Sequence, residues 1–220
     1  MKKITKALRP NIAAVLCSLS ILAALLLPLI TYAKEFLPAV YSLLLNDSEF
    51  DCNPCNIFVT EGETNGDLNG PQGADAMCMS DANYPGTGTY KAMIVDTVNR
   101  IACTSPNCAI AGADEHVDWV LHPDTAYQRV DGTEIGQTNG VGLFIFDLTN
   151  AIDPSGTFPH GGFNSTDNWT TGTLNNCSNW TDSSAVGSTR VMVPSDDRDN
   201  FLSGGGFGCN INGEIMCVQQ

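Results

Sequence analysis

Positive charge is scarce in this chain of 220 residues: ten Lys+Arg stand against 24 Asp+Glu. Four of the ten (Lys2, Lys3, Lys6 and Arg9) sit at the very start. Beyond residue 33 only Lys34, Lys91, Arg100, Arg129, Arg190 and Arg198 remain, six bases against all 24 acids, a net charge of −18. They are scattered along the sequence. Such a chain excludes nucleic acid, heparin-like polyanions and anionic membrane surfaces as direct partners. The acidity itself reads as solubility in an extracellular setting. Histidine is scarcer still. His116, His122 and His160 lie apart, and each reads as a loop residue with a hydrogen-bonding role rather than a metal ligand. The familiar catalytic signatures are missing: there is no G-x-S-x-G, no H-E-x-x-H and no P-loop Gly-Lys-Ser/Thr. Carboxylates are so abundant that any pair of them says nothing in favour of glycoside hydrolysis. No catalytic residue is assigned, and no internal repeat or low-complexity tract is present.

Charge is absent altogether from Ile12 to Ile30. With the basic start before it and Thr31-Tyr32-Ala33 after it, residues 1–33 read as an export signal. The apolar run exceeds a usual signal core and nearly suffices to span a bilayer. An uncleaved N-terminal anchor is therefore the alternative, and the membrane enters only through this segment. Residues 34–51 form a connector, and residues 52–220 have the size of one domain with a real core.

Eight cysteines follow the signal: Cys52, Cys55, Cys78, Cys103, Cys108, Cys177, Cys209 and Cys217. An even number behind an export signal implies a disulfide framework in a secreted, periplasmic or cell-surface protein. Cys52-Asn-Pro-Cys55 precedes the strand-like Ile57-Phe58-Val59-Thr60. A redox pair would instead open a helix, whose dipole lowers the thiol pKa, so a structural staple is expected. Cys103 and Cys108 close a tight loop. Zinc held by these pairs is the lesser alternative, because zinc-thiolate sites are less usual in an oxidising compartment.

The clearest local pattern is Gly73 to Val95. A helix is predicted from Asn69-Gly70-Pro71 to about Asn83, with Ala74, Met77, Cys78 and Ala82 on its apolar face. Asp75 would favour the N-terminal end of the helix dipole. Pro85, Gly86 and Gly88 then force a turn, and Tyr90 to Val95 reads as a strand buried on both faces. Val141 to Leu148 is expected to be the strongest strand, central and covered on both sides. Asp131-Gly132 and Asn139-Gly140 mark turns. Gly208 to Val218 reads as a hairpin about Asn212-Gly213. Between Asn150 and Gly206 the chain is loop-rich, anchored by Trp169 and Trp180. Four of the five sequons, at Asn164, Asn168, Asn176 and Asn179, crowd into residues 164–181 and predict that this segment is exposed.

Certain elements resemble the bacterial family of endostatin-like surface proteins typified by those of Leptospira, within the C-type-lectin-like class. They are Ile57–Thr60 (IFVT), Gly73–Cys78 (GADAMC), Gly88–Ala92 (GTYKA), Trp119–Leu121, Asp131–Gly136 and Asn176–Trp180 (NCSNW). Trp169–Gly172 (WTTG) and Ile215–Val218 (IMCV) resemble the endostatin long-loop region and final strand. The likeness spans about Ile57 to Val218. It implies an α+β, C-type-lectin-like (endostatin-like) fold: a mixed or antiparallel sheet, one or two helices and a long irregular loop region, stapled by disulfides. It further implies nested bridges, Cys78 with Cys217 and Cys177 with Cys209. That leaves Cys103 with Cys108 and Cys52 with Cys55.

Two departures limit what the resemblance carries. The EPN, QPD and WND triplets of calcium-dependent sugar binding are absent, and so are the basic heparin face and the histidine-rich zinc site of endostatin. The expectation is an exported, non-catalytic, adhesin-like binding protein needing no cofactor, whose loop Asp153–Gly206 presents the contact surface. By resemblance its partners are host matrix or complement-regulatory proteins. Phe158, Phe163 and Trp169 are the candidate surface anchors, although Trp169 taken alone reads more readily as a core residue. Asp196, Asp197, Asp199 and Asn200 form the densest cluster of oxygen ligands and are the calcium candidates, although the spacing is not that of an EF-hand. The alternatives are a calcium-dependent glycan-binding module and an exported enzyme with an unrecognised site.

Overall fold

A computed structural model describes residues 52–164, 168–184 and 186–220, with the side chain of Asp199 left out. The export signal and the connector expected over residues 1–51 lie outside the described residues. Among the described residues no helix is long and apolar enough to cross a membrane.

The architecture is α+β. Strand β1 (Cys55–Val59) is followed by helix α1 (Pro71–Ser80), β2 (Tyr90–Ala92), β3 (Ala126–Arg129), β4 (Glu134–Gln137), the single turn α2 (Cys177–Trp180), β5 (Ser188–Arg190), β6 (Gly206–Gly208) and β7 (Met216–Gln219). Five strands form one mixed sheet in the order β2-β7-β1-β3-β4, and β5 pairs with β6 separately. β7 runs antiparallel to both β1 and β2, with Cys217 opposite Phe58 on one side and Ala92 on the other. β1 is parallel to β3. β3 and β4 form a hairpin around Asp131-Gly132, with Gly132 at a φ of 86°.

Helix α1 starts with Pro71 in its first turn, where a missing N–H is harmless. It stops at Ser80, earlier than the sequence pattern suggests. Asp81 is extended, and its carboxylate instead accepts the N–H groups of Glu61, Gly62 and Asn83 at 2.9–3.0 Å. Gly73 is needed at the entry: a Cβ there would lie 1.7 Å from the Leu68 carbonyl oxygen. Ala74 and Cys78 turn inward and join Phe58, Tyr90, Ile94 and Trp180 in the core beneath the helix. Asp75 lies beyond the first turn and leaves the helix end alone. It reaches Arg100 and the Ala92 N–H.

Four disulfides staple the domain: Cys52–Cys55, Cys78–Cys217, Cys103–Cys108 and Cys177–Cys209. The two long bridges are those the resemblance implied, and the two short ones are those left by exclusion. The Cys78–Cys217 bridge joins α1 to β7.

Three expectations about strands are corrected. Val141–Leu148 is not a central strand. Asn139 caps a turn by accepting the N–H groups of Val141 and Leu143, and Gly142 has a φ of 71° in contact with Leu121. The stretch therefore doubles back and keeps only the isolated bridge Thr138–Phe144. Its Leu143, Phe144 and Leu148 are buried as core side chains rather than as a ladder. The hairpin at Gly208–Val218 does not form either, because its two arms pair with different strands. β6 pairs with β5, while β7 enters the main sheet, and Gly213 bonds to Thr64 instead. Finally, the β2 ladder ends at Ala92. Met93 and Val95 donate to Met216 and Gly161, and both stay buried.

The turn α2 has an unusual backbone. Cys177, Ser178, Asn179 and Trp180 all have φ between 47° and 63°, a left-handed turn. Each such L-residue costs about 1–2 kcal/mol. The turn is held by the Cys177–Cys209 bridge, by Asn176 accepting the Asn179 N–H, and by the Trp180 indole donating to the Val95 carbonyl at 3.0 Å. Glycine in an ordinary helix interior is destabilising by about 1 kcal/mol. Here the sign reverses. Ser178→Gly at this exposed site is expected to raise stability by about 0.5 kcal/mol in urea unfolding. A loss of stability would contradict the left-handed assignment.

Candidate functional site

Two concave regions adjoin and share Thr157 and Glu214. The larger, about 650 Å³, runs along β1 from Ile57 to Glu61 and reaches Asn83, Arg129–Asp131 and Ile152–Ser155. The smaller, about 220 Å³, is lined by Glu63, Phe158, His160, Val191, Phe207, Ile211 and Glu214, among others.

The loop between them is held by its own acid. Asp153 accepts the Ser155 N–H at 2.9 Å, the Ser155 hydroxyl at 2.6 Å and the Thr157 hydroxyl at 2.7 Å. Burial alone would push the Asp153 pKa up, but these bonds outweigh it and hold it below the usual carboxylate value. Glu61, Glu63, Asp131, Asp153 and Glu214 make the walls acidic. Arg129 is the sole base among the lining residues, and it donates to the backbone carbonyls of Ala151 and Ile152. The paired groove is thus lined by apolar and acidic side chains, with the acids far outnumbering the one arginine.

Of the three candidate anchors, only Phe158 is at the surface, 50% exposed on the rim of the smaller hollow. Phe163 and Trp169 are 1% and 3% exposed, which corrects the placement of Phe163 as a contact residue and puts Trp169 in the core, the stronger of its two readings. They belong to an aromatic core. Trp169 lies 5.7 Å from Phe163 edge-on and 5.9 Å from Trp119, and stacks on Phe146 at 6.2 Å. Burial of so large an apolar area outweighs the polar character of the surrounding sequence. Trp169→Ala is therefore expected to cost about 3 kcal/mol in urea unfolding, and Phe158→Ala less than about 0.5 kcal/mol. Similar losses for the two would place Trp169 outside the core.

The expected exposure of the sequon segment fails at Asn176. Its side chain is buried and accepts from Asn179. Asp196, Asp197 and Asn200 line a third hollow of about 350 Å³. Asp196 accepts the Arg198 N–H, and Asp197 faces the Arg198 guanidinium at 3.9 Å. Among the described residues no group of three or more His, Cys, Asp or Glu could hold a metal ion. His116 places its two ring nitrogens against the carbonyls of Ala102 and Val141 and pins two loops together. His160 bonds to the Thr64 carbonyl through Nε2 at 2.8 Å.

Two buried acids or bases escaped sequence reasoning. Arg100 is fully buried and forks onto Asp75 and Asp118. Glu115 is buried in a nest of donors: the N–H groups of Thr104, Ser105, Ile110 and Ala111 and the hydroxyls of Thr104 and Ser105. The Ser105 hydroxyl and the Ala111 N–H, with smaller help from Thr104, hold its carboxyl far below the usual range against the opposing effect of burial. Asp118 is raised by burial but lowered further by bonds from Lys91 and Arg100, with a net fall. Depressed carboxyl pKa values stabilise the fold above the ordinary carboxylate range, about 4, and this stability is lost as pH falls through the folded values. The urea midpoint is expected to be level from pH 7 to about 5 and to drop below about pH 4.5. The drop should be shallower in Glu115→Gln. An equally steep drop in that variant would remove Glu115 from the explanation.

The fold and its bridges define a class: disulfide-stapled α+β domains built on a mixed sheet. Within that class the chain belongs to the DUF1554 family of proteins of unknown function, whose model matches residues 61–192. The matched span contains α1, β2 to β5 and the loop between the two hollows. No curated protein matches the chain.

Proposed function

We propose that the protein is an exported, non-catalytic binding module and that the paired groove is its contact face for a protein partner. The observation that carries this reading is the groove itself. It is an open, acid-walled concavity with an exposed phenylalanine at its edge, on a scaffold cross-linked four times. A rigid, pre-shaped face loses little conformational entropy on binding. The four bridges suit an oxidising compartment, in keeping with the export signal of residues 1–33. The resemblance to the endostatin-like surface proteins favours host matrix proteins or complement regulators as the partners.

The test is a binding screen of the oxidised protein against matrix and serum proteins at physiological salt. The expected result is saturable binding to at least one of them, weakened about tenfold or more, or about 1.4 kcal/mol, by Phe158→Ala combined with Glu214→Lys. Binding that vanishes on a modest rise in salt would be ionic adhesion of a chain at −18, and would overturn the reading. So would capture of a glycan only in the presence of calcium.

A further inference from the structure

We propose that the smaller hollow seats one arginine side chain of the protein partner. The proposal rests on the reading of this chain as a protein-binding module and names what its contact face recognises.

Size is the first ground. At about 220 Å³ the hollow falls below the range of about 300–1,000 Å³ in which whole small ligands bind. One long side chain is the scale of occupant it admits.

Its walls are the second. Phe158, Phe207 and Ile211 are 50%, 41% and 44% exposed, yet all three border the same hollow. Clustered exposed apolar side chains mark a surface that a partner covers.

The third is the sign of its polar groups, which are mostly acceptors. Glu63 has no hydrogen-bond or ion-pair partner among the described residues. Glu214 accepts a single N–H, from Phe158 at 3.2 Å. The Nε2 of His160 faces a carbonyl oxygen, so it carries the proton and donates, and Nδ1 is left as an acceptor. That Nδ1 is buried with no partner among the described residues. The accessible acceptors are therefore the carboxylates of Glu63 and Glu214, which favour a positive occupant that brings N–H groups.

An occupant must therefore have an apolar stem, a positive head and several donors. Arginine meets all three conditions. Its guanidinium is planar, offers five N–H groups, is weakly hydrated and stacks on aromatic faces. A lysine ammonium is a smaller, more strongly hydrated charge and gains less from the two phenylalanine rings.

The test titrates the full oxidised protein with N-acetyl-arginine amide, its lysine counterpart and its uncharged citrulline counterpart, followed by amide NMR. The arginine compound is expected to shift the amides of Phe158, His160, Phe207 and Ile211 saturably. Binding should weaken about tenfold in Glu63→Gln with Glu214→Gln. Lysine should bind more weakly than arginine, and citrulline should give no saturable shift. Equal effects from all three compounds, shifts spread over the whole acidic surface, or none at all would overturn the proposal. A protein partner that binds the double variant as tightly as the parent would overturn the arginine pocket and leave the binding module standing. Saturable arginine binding with no protein partner in the screen would do the reverse.

Discussion

Removing the bridge between Cys78 and Cys217 is expected to unfold the protein at 37 °C. The two residues are 139 apart in sequence, and the chain-entropy account gives about 5 kcal/mol for closing a loop of that length. Domains of this size are stable by about 5–15 kcal/mol in total. The double variant C78S/C217S should therefore fail to accumulate in folded form and show no cooperative melt. Cys103 and Cys108 are only five apart, and by the same account their bridge is worth about 2 kcal/mol. C103S/C108S should fold with a lowered midpoint. The single variant Cys78→Ser should yield one new free thiol, at Cys217, detectable by mass spectrometry after unfolding. Equal losses from the two double variants would show that loop length is not what makes the long bridge matter.

Arg100→Leu is expected to be nearly as damaging. The guanidinium is fully buried and saturated with partners. Its Nη1 bonds Asp75 at 2.7 Å and the Ala92 carbonyl at 2.8 Å. Its Nη2 bonds Asp75 at 2.8 Å and Asp118 at 2.5 Å, and its Nε bonds Asp118 at 3.1 Å. Burial alone would lower its pKa, but the two carboxylates more than offset this and raise it. Leucine leaves two carboxylates and a carbonyl without their partner. Breaking a buried pair in this way costs about 3–5 kcal/mol. Arg100→Lys should recover little, because an ammonium cannot fork onto two carboxylates and a carbonyl. Lys91→Met removes only the half-exposed pair with Asp118 and should cost less than about 1 kcal/mol. A loss below 1 kcal/mol for Arg100→Leu, in urea unfolding at pH 7, would refute the account of this centre.

The same residues show how far the sequence could be read. Helix α1 was legible because Pro71, the small-residue face and the Pro/Gly run after it are all local signals. Its last turn was not, because Asp81 is recruited by Glu61 and Gly62 from another segment. The two long bridges were legible only through the resemblance, the two short ones already through the spacing of Cys52 with Cys55 and of Cys103 with Cys108. Val141–Leu148 misled because apolar residues on both faces fit a buried strand and a folded-back core segment equally well; Asn139 and Gly142 decide between them. The Gly208–Val218 hairpin misled because a good local turn lost to longer-range pairing of both arms. Trp169 lies among Asn, Ser and Thr, and nothing nearby in sequence announces which five aromatic rings would converge on it: Trp119, Phe144, Phe146, Phe163 and Phe201. Of the candidate groove, only Phe158 was visible. Glu63, His160, Phe207, Ile211 and Glu214 come from three distant stretches, and their meeting depends on where β7 and the segment before it are placed.

That placement also governs how the protein comes into being. The strand shared by β1 and β2 is the last in sequence order, and the Ile215 N–H donates to the Thr60 hydroxyl across 155 residues. A nascent chain that has already delivered β1 and β2 still lacks the neighbour both of them need. During that interval both present open edges to any passing strand, the arrangement most prone to mispairing between chains. Maturation must therefore wait on late synthesis. The half-delivered chain is the form in which shielding by a holdase chaperone would matter most.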